Sequence, residues 1–285
     1  MTSPAHDGPA QGTCAGPLIF LAVINSLCKE IDRRAKFVDD LSLGYVLSIR
    51  DIIQYGQMQQ DLDQLSADCQ CKHMETNPVK CEVLYCLPCM LRRPLTFPDL
   101  TLNETPLPVV SECKLLGVHI SSDLKWNTHV VKITSKANKC IFVLIMSRKF
   151  GFSIPTMITL YQRTALEYTA PVWHLGLTEL QHAQIERVQR RCVRIILGRT
   201  YDGYERALAR LNLTTLRSRR EMLTLRLGRS MLKSADHRSL LPPTRAAAHG
   251  RNLRNGHLLR TVMCRNERYK KTFVPYVVKL LNDNM

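Results

Sequence analysis

The chain has 285 residues, 45% hydrophobic and 22% charged, enough for one large core or two modest ones and unlike a disordered polymer. Its 14 prolines and 13 glycines are too few for a collagen-like or low-complexity chain. The net charge of +16 is unevenly placed: residues 1–180 carry 17 basic and 17 acidic side chains, whereas residues 181–285 carry 23 and 7. A neutral block followed by a basic one points to a phosphate-bearing partner for the second, although a well-solvated helical surface has the same composition.

The first sixteen residues are rich in Pro, Gly and Ala and show no periodicity. Pro17 suits the first turn of an apolar helix through Ile19, Phe20, Val23, Ile24 and Leu27. No Lys or Arg precedes Lys29, and Asn25 and Ser26 interrupt the apolar stretch. It therefore reads as neither a secretory signal nor a membrane span. Eleven cysteines without a signal are expected to be reduced, mostly buried thiols. The expectation is a soluble intracellular protein with no membrane partner.

From Ala35 to Leu43, two short apolar runs flank Asp39 and Asp40, the pattern of a hairpin with acids at its turn. Ile53, Met58, Leu62, Leu65 and Cys69 are spaced for a helix. A strand is expected near Glu82 to Cys86, and a pair of strands around Leu115 to Ile120. Beyond Asp123 the chain reads as helical. Asn127 or Thr128 can cap a helix that stops before Gly151, and Ser153 with Pro155 starts another that ends ahead of Pro171. Thr178 and Gln181 have capping-box spacing. The helix they open places Ile185, Val188, Cys192, Ile195 and Ile196 on one face and Arg187, Arg190, Arg191 and Arg194 on the other, closing at Gly198. Two more helices are expected over 204–233, parted near Asn212, then a basic, weakly patterned stretch with apolar residues returning at Phe273.

Adjacent carboxylates repel unless a cation compensates them, and paired magnesium ions do so in polymerases. A lone Asp-Asp is weak evidence, since most such pairs are solvated loop residues. Its neighbours add more. Gln11-Gly12-Thr13-Cys14-Ala15-Gly16-Pro17-Leu18-Ile19-Phe20, then Phe37-Val38-Asp39-Asp40, Asn77-Pro78-Val79-Lys80 and Leu115-Leu116-Gly117-Val118 follow in order. With Leu166-Glu167-Tyr168 through Pro171-Val172-Trp173-His174, and Ile185-Glu186-Arg187-Val188-Gln189-Arg190-Arg191, the chain from Gln11 onward resembles reverse transcriptases of non-LTR (LINE-like) retrotransposons.

The resemblance implies an α+β fold: a partial polymerase palm, an antiparallel sheet with helices, over residues 1–126, and an all-α thumb-like region over 127–233. A basic C-terminal tail with a short apolar end would follow over 234–285. It implies magnesium ions beside Asp39 and Asp40, and a nucleotide and template against Gln11 and Gly12. Gly12 is suited to close backbone approach. Lys80 would act on the departing pyrophosphate, although a solvated lysine fits there equally well. Leu116 and Gly117 would support the primer end, with plain strand packing as the alternative. The basic helices, Arg187, Arg190, Arg191 and Arg194 among them, would hold the backbone of an RNA template and DNA primer.

The family pattern also needs an earlier acidic strand, and Asp7 is the sole acid before Gln11. Two carboxylates are short of the ligands that two magnesium ions require. The expected function is therefore a reverse-transcriptase fragment, inactive alone, with a palm portion less stable than its helices; the alternative is a non-catalytic nucleic-acid-binding remnant. A zinc site from Cys69, Cys71, His73, Cys81, Cys86 and Cys89 is a third reading, but the single Cys-x-x-Cys makes buried thiols the better account. Trp173, His174, Tyr201 and Tyr204 could stack on bases, though core or loop packing explains them as well.

Overall fold

The computed structural model describes residues 22–31, 34–46, 53–86, 97, 99–162, 165–250 and 254–285. Gln11, Gly12, the start of the Pro17 helix and Cys89 lie outside them. The fold is α+β, and the chain divides into two compact units at Ser111/Glu112.

In the first unit, β1 (Arg34–Phe37) and β2 (Asp40–Leu43) form the expected antiparallel hairpin. A 19-residue helix, α1 (Ile53–Cys71), follows. A 3-10 turn at Pro78–Lys80 leads to β3 (Val83–Leu84), shorter than the expected strand. Three further two-residue strands are β4 (Thr101–Leu102), β5 (Thr105–Pro106) and β6 (Val109–Val110). The core joins Leu27, Cys28 and Ile31 to Leu65 and Cys69 of α1 and to Leu100, Leu102 and Leu107. Asp68 accepts the Cys28 backbone N–H at 2.9 Å, and Lys36 of the hairpin donates to the Ile24 carbonyl at 2.9 Å. The first bond satisfies a backbone donor just past the 22–26 helical turn, and the second adds to the Ile24 carbonyl, which also accepts the Leu27 N–H at 3.0 Å.

The expected antiparallel sheet is thus broken up. The described strands form four two-stranded pieces, one of them (β3 with β6) parallel. Pro106 sits opposite Thr101 in the β4–β5 ladder, and the Leu107 N–H continues the pairing beyond it by donating to the Leu100 carbonyl at 2.8 Å.

The second unit opens with the hairpin β7 (Glu112–Leu115) and β8 (Val118–Ser121). The hairpin therefore belongs with the helices, on the far side of the division from the region expected to end at 126. It is tied to α2 (Asn127–Lys149) by Lys132 against Glu112 and by the His119 backbone N–H on His129 Nδ1 at 3.2 Å. No side chain caps α2: Trp126 is its N-cap, and the Asn127 amide oxygen accepts instead from Gln181 Nε2 at 2.6 Å.

Helix α3 (Ile154–Gln162) ends earlier than expected, giving way to a 3-10 turn at Ala165–Glu167 and the short α4 (Ala170–Trp173). Helix α5 (Glu179–Leu197) has both bonds of the Thr178/Gln181 capping box and closes at Gly198. Gly198 has φ +53, and a Cβ there would lie 1.8 Å from Arg148 Nη2. Arg148 Nη1 donates to the Ile195 and Ile196 carbonyls at 2.6 and 2.9 Å, filling the acceptors left open at the end of α5. The expected helix pair appears as α6 (Tyr204–Arg210) and α7 (Leu216–Lys233).

The main core gathers Val130, Ile133, Ala137, Ile141 and Leu144 of α2 against Ile185, Val188, Cys192 and Ile196 of α5, with Trp173 fully buried. The expected tail is also packed. It contains α8 (Ala235–Arg238), α9 (Arg245–His249), α10 (Glu267–Lys270) and α11 (Phe273–Asn282). Leu241 and Leu259 join Met231 of α7 and Val277, Val278 and Leu281 of α11 in a further core. Gly228 lets α11 approach: a Cβ there would meet Leu281 at 3.3 Å.

Candidate nucleic-acid interface

The Asp pair lies at the expected hairpin, one position later than expected, with Asp39 in the turn and Asp40 opening β2. Phe37 faces Asp40 across the hairpin, so Val38-Asp39 is a two-residue turn with both acids exposed at the tip. Val38 has φ +57, a conformation that costs a β-branched residue about 1–3 kcal/mol. Strain of this kind is tolerated where a turn must aim a side chain. Among the described residues, no group of three or more His, Cys, Asp or Glu could hold a metal ion. Two exposed carboxylates alone do not fit a pair of magnesium ions, which take near-octahedral oxygen cages. Lys80 is exposed at the end of its 3-10 turn and makes no ion pair with either acid among the described residues.

The described cysteines are free, and Cys28 and Cys69 are core thiols. Burial and the neighbouring Asp68 push the Cys28 thiol up to about 11, which keeps it protonated and unreactive.

Leu116 and Gly117 form the β7–β8 turn, with φ +46 and +84. Positive φ at both positions defines a type I′ turn, which favours Asn-Gly. The Tyr168 hydroxyl donates to the Leu116 carbonyl at 3.1 Å, and its ring would lie 3.1 Å from a Cβ on Gly117. Leu116 is partly exposed and gains little from packing. Leu116→Asn is expected to stabilise the helical unit by about 1 kcal/mol, the left-handed penalty of an ordinary L-residue. Urea midpoints read by tryptophan fluorescence check this, and a loss of stability would show that the leucine side chain packs productively.

Charge follows the division of the chain. Residues 1–111 carry 9 basic and 13 acidic side chains, and residues 112–285 carry 31 and 11. Within the basic unit, Arg187, Arg190, Arg191 and Arg194 are all exposed on α5, as its periodicity predicts. None makes an ion pair among the described residues. Two of them rest on aromatic rings: the Arg190 guanidinium lies 4.8 Å from the Tyr204 ring centre, and that of Arg194 lies 5.2 Å from Tyr201. Both distances are in cation–π range, which orders the guanidinium and leaves its edge donors for an acceptor.

Glu186, the acid preceding Arg187 on α5, is engaged elsewhere. Glu186 accepts the Tyr204 hydroxyl, and its Oε1 also takes the Leu216 backbone N–H at 3.3 Å, at the N-terminus of α7. Tyr201 and Tyr204 are thus supports for arginines, a role that their i, i+3 spacing hints at only once α6 is placed beside α5. Trp173 and His174 are buried, in keeping with core packing.

A second arginine group lies inside the unit. Arg220 is fully buried. Its Nε donates to His174 Nδ1 at 3.3 Å, Nη2 lies 3.3 Å from His182 Nδ1, and the guanidinium sits 5.6 Å from the Trp173 ring centre. Burial lowers the Arg220 pKa to about 10. Burial and the Arg220 charge hold His174 at about 3 and His182 at about 4, so both imidazoles are neutral. The group anchors α4, α5 and α7 together; it offers no open surface to a ligand.

Comparison with known protein families, with curated proteins and with solved structures found no match to this chain.

Proposed function

We propose that this chain is a fragment of an RNA-directed DNA polymerase of the reverse-transcriptase type. Its basic helical unit grips the backbone of an RNA template and DNA primer, and the fragment by itself performs no nucleotide transfer. The observation that carries the binding reading is the exposed arginine row on α5, partly fixed by tyrosines, on a unit with 31 basic and 11 acidic residues. Such a surface meets phosphates without reading bases. The hairpin tip with Asp39 and Asp40 supports the polymerase origin. A pair of carboxylates without a third grouped acid among the described residues supports the non-catalytic part.

Filter binding of an RNA–DNA hybrid across a salt series tests this directly. Binding should weaken steeply with salt. Replacing Arg187, Arg190, Arg191 and Arg194 with Ala should lower affinity roughly a hundredfold or more, and reduce the log–log salt slope by about 3 to 4. Primer extension with magnesium should give no product. Absent or salt-independent binding by the unaltered protein overturns the binding reading, and clear DNA synthesis overturns the claim of inactivity.

A further inference from the structure

We propose that the outer face of α2 binds single-stranded nucleic acid, with exposed phenylalanines stacking on bases and lysines meeting the phosphates. The buried line of α2, through Ile133, Ala137, Ile141 and Leu144, packs in the core with α5. The opposite line is therefore a different surface from the arginine row. It carries Phe142, 65% exposed, followed at the helix end by Phe150 at 70% and by Phe152 at 51%. Phe142 lies on the helix itself, Phe150 is its C-cap and Phe152 follows the turn at Gly151; three exposed rings within eleven residues mark a binding surface.

Charge selects the occupant. No Asp or Glu occurs between Asp123 and Glu167, whereas seven Lys and Arg do. Lys132 is engaged by Glu112, and Arg148 by the end of α5. Lys136, Lys139 and Lys149 remain exposed on the open side of the helix. A polyanion with apolar faces satisfies both features, and unpaired nucleotides present their bases for stacking where a duplex hides them. A second copy of the chain would bring two acid-free basic faces together, which like-charge repulsion opposes. A helix lying on a membrane separates its charged side from its apolar side. Here Lys149 follows Phe142 by seven positions, on the same line of the helix.

The test is fluorescence anisotropy with labelled oligo(dT) of about 15 nucleotides and a duplex of equal length. The unaltered protein should bind both. Phe142→Leu with Phe150→Leu keeps apolar surface but removes the stacking faces. It should weaken oligo(dT) binding about tenfold or more, leaving duplex affinity and the salt slope unchanged. Phe142→Tyr with Phe150→Tyr should stay within about twofold of the unaltered protein. Tryptophan-fluorescence midpoints verify that each variant is folded. Lys136→Gln with Lys139→Gln should lower the oligo(dT) salt slope by about 1.4. Full oligo(dT) affinity in the leucine variant overturns the proposal. So does wild-type capture of a Glu-rich amphipathic peptide without oligo(dT) binding, which marks a protein-docking face. Duplex binding without oligo(dT) binding defeats this inference alone, whereas loss of both in the unaltered protein defeats the α5 reading as well.

Discussion

Arg220→Ala is expected to destabilise the helical unit by about 3–5 kcal/mol. The substitution removes a fully buried cation that spans three elements. His174 Nδ1 and His182 Nδ1 lose their donor, and the face of Trp173 loses its cover. Each unpaired buried acceptor costs about 1–3 kcal/mol, and the cavity adds to that. Arg220→Met refines the expectation. Methionine fills most of the volume and brings no charge to desolvate, so it removes the cavity's share of the cost while both imidazole acceptors stay unpaired, and its loss should be the smaller, on the order of 2–3 kcal/mol. Urea unfolding of both variants checks the pair. The two tryptophans of the chain, Trp126 and Trp173, both lie in this unit, so their fluorescence reports it alone. Equal losses for the two variants would show that the guanidinium's hydrogen bonds, and not its volume, are what α7 requires.

The same residue shows why part of the site was hidden in the sequence. Helix α7 buries Leu216, Arg220, Thr224, Gly228 and Met231, a helical stripe in which three of five members are polar or lack a side chain. Apolar periodicity cannot find such a stripe. Arg220 is indistinguishable by type from Arg217, Arg219, Arg226 and Arg229 around it. Helix α5 is legible for the opposite reason: Ile185, Val188, Cys192 and Ile196 give an apolar line despite the buried Gln189 beside it, its capping box is local, and Gly198 ends it. Local patterns also announced both hairpins, although the first turn is Val38-Asp39, one position before the expected Asp pair, and the second pair of strands begins earlier, at Glu112. Tertiary bonds overrode them at Asn127, whose side chain serves Gln181 instead of capping α2. Strands of two residues such as β4 and β5 are too short for an alternating pattern. The exposed phenylalanines near the end of α2 were invisible as a surface because apolar residues in a helix read as core. Basic residues 234–266 resemble a tail in sequence because the two leucines that anchor them, Leu241 and Leu259, are eighteen positions apart.

Acid should weaken the helical unit well before its carboxylates are neutralised. His129 and His174 are buried, and burial holds them at about 4 and about 3, helped by His119 for the first and by Arg220 and His182 for the second. Both values lie below the unfolded 6.5. Below pH 6.5 the unfolded chain therefore takes up protons that the folded chain refuses. Stability is fully present above that pH, falls as the pH drops, and levels off only below the folded values. At about pH 5 each histidine withdraws roughly 2 kcal/mol, so the pair withdraws about 4 kcal/mol from a total that is commonly 5–15. Glu112 contributes in the same direction but later, because its bond to Lys132 holds it below the ordinary carboxylate range. Urea midpoints at about pH 7.5 and pH 5, read from tryptophan fluorescence, measure the difference. Arg220→Met should reduce it, since removing the cation lets His174 and His182 protonate more readily in place. Identical midpoints at the two pH values would mean that both buried imidazoles are hydrated in the folded protein, and that the Arg220 cluster is open to water instead of sealed beneath Trp173.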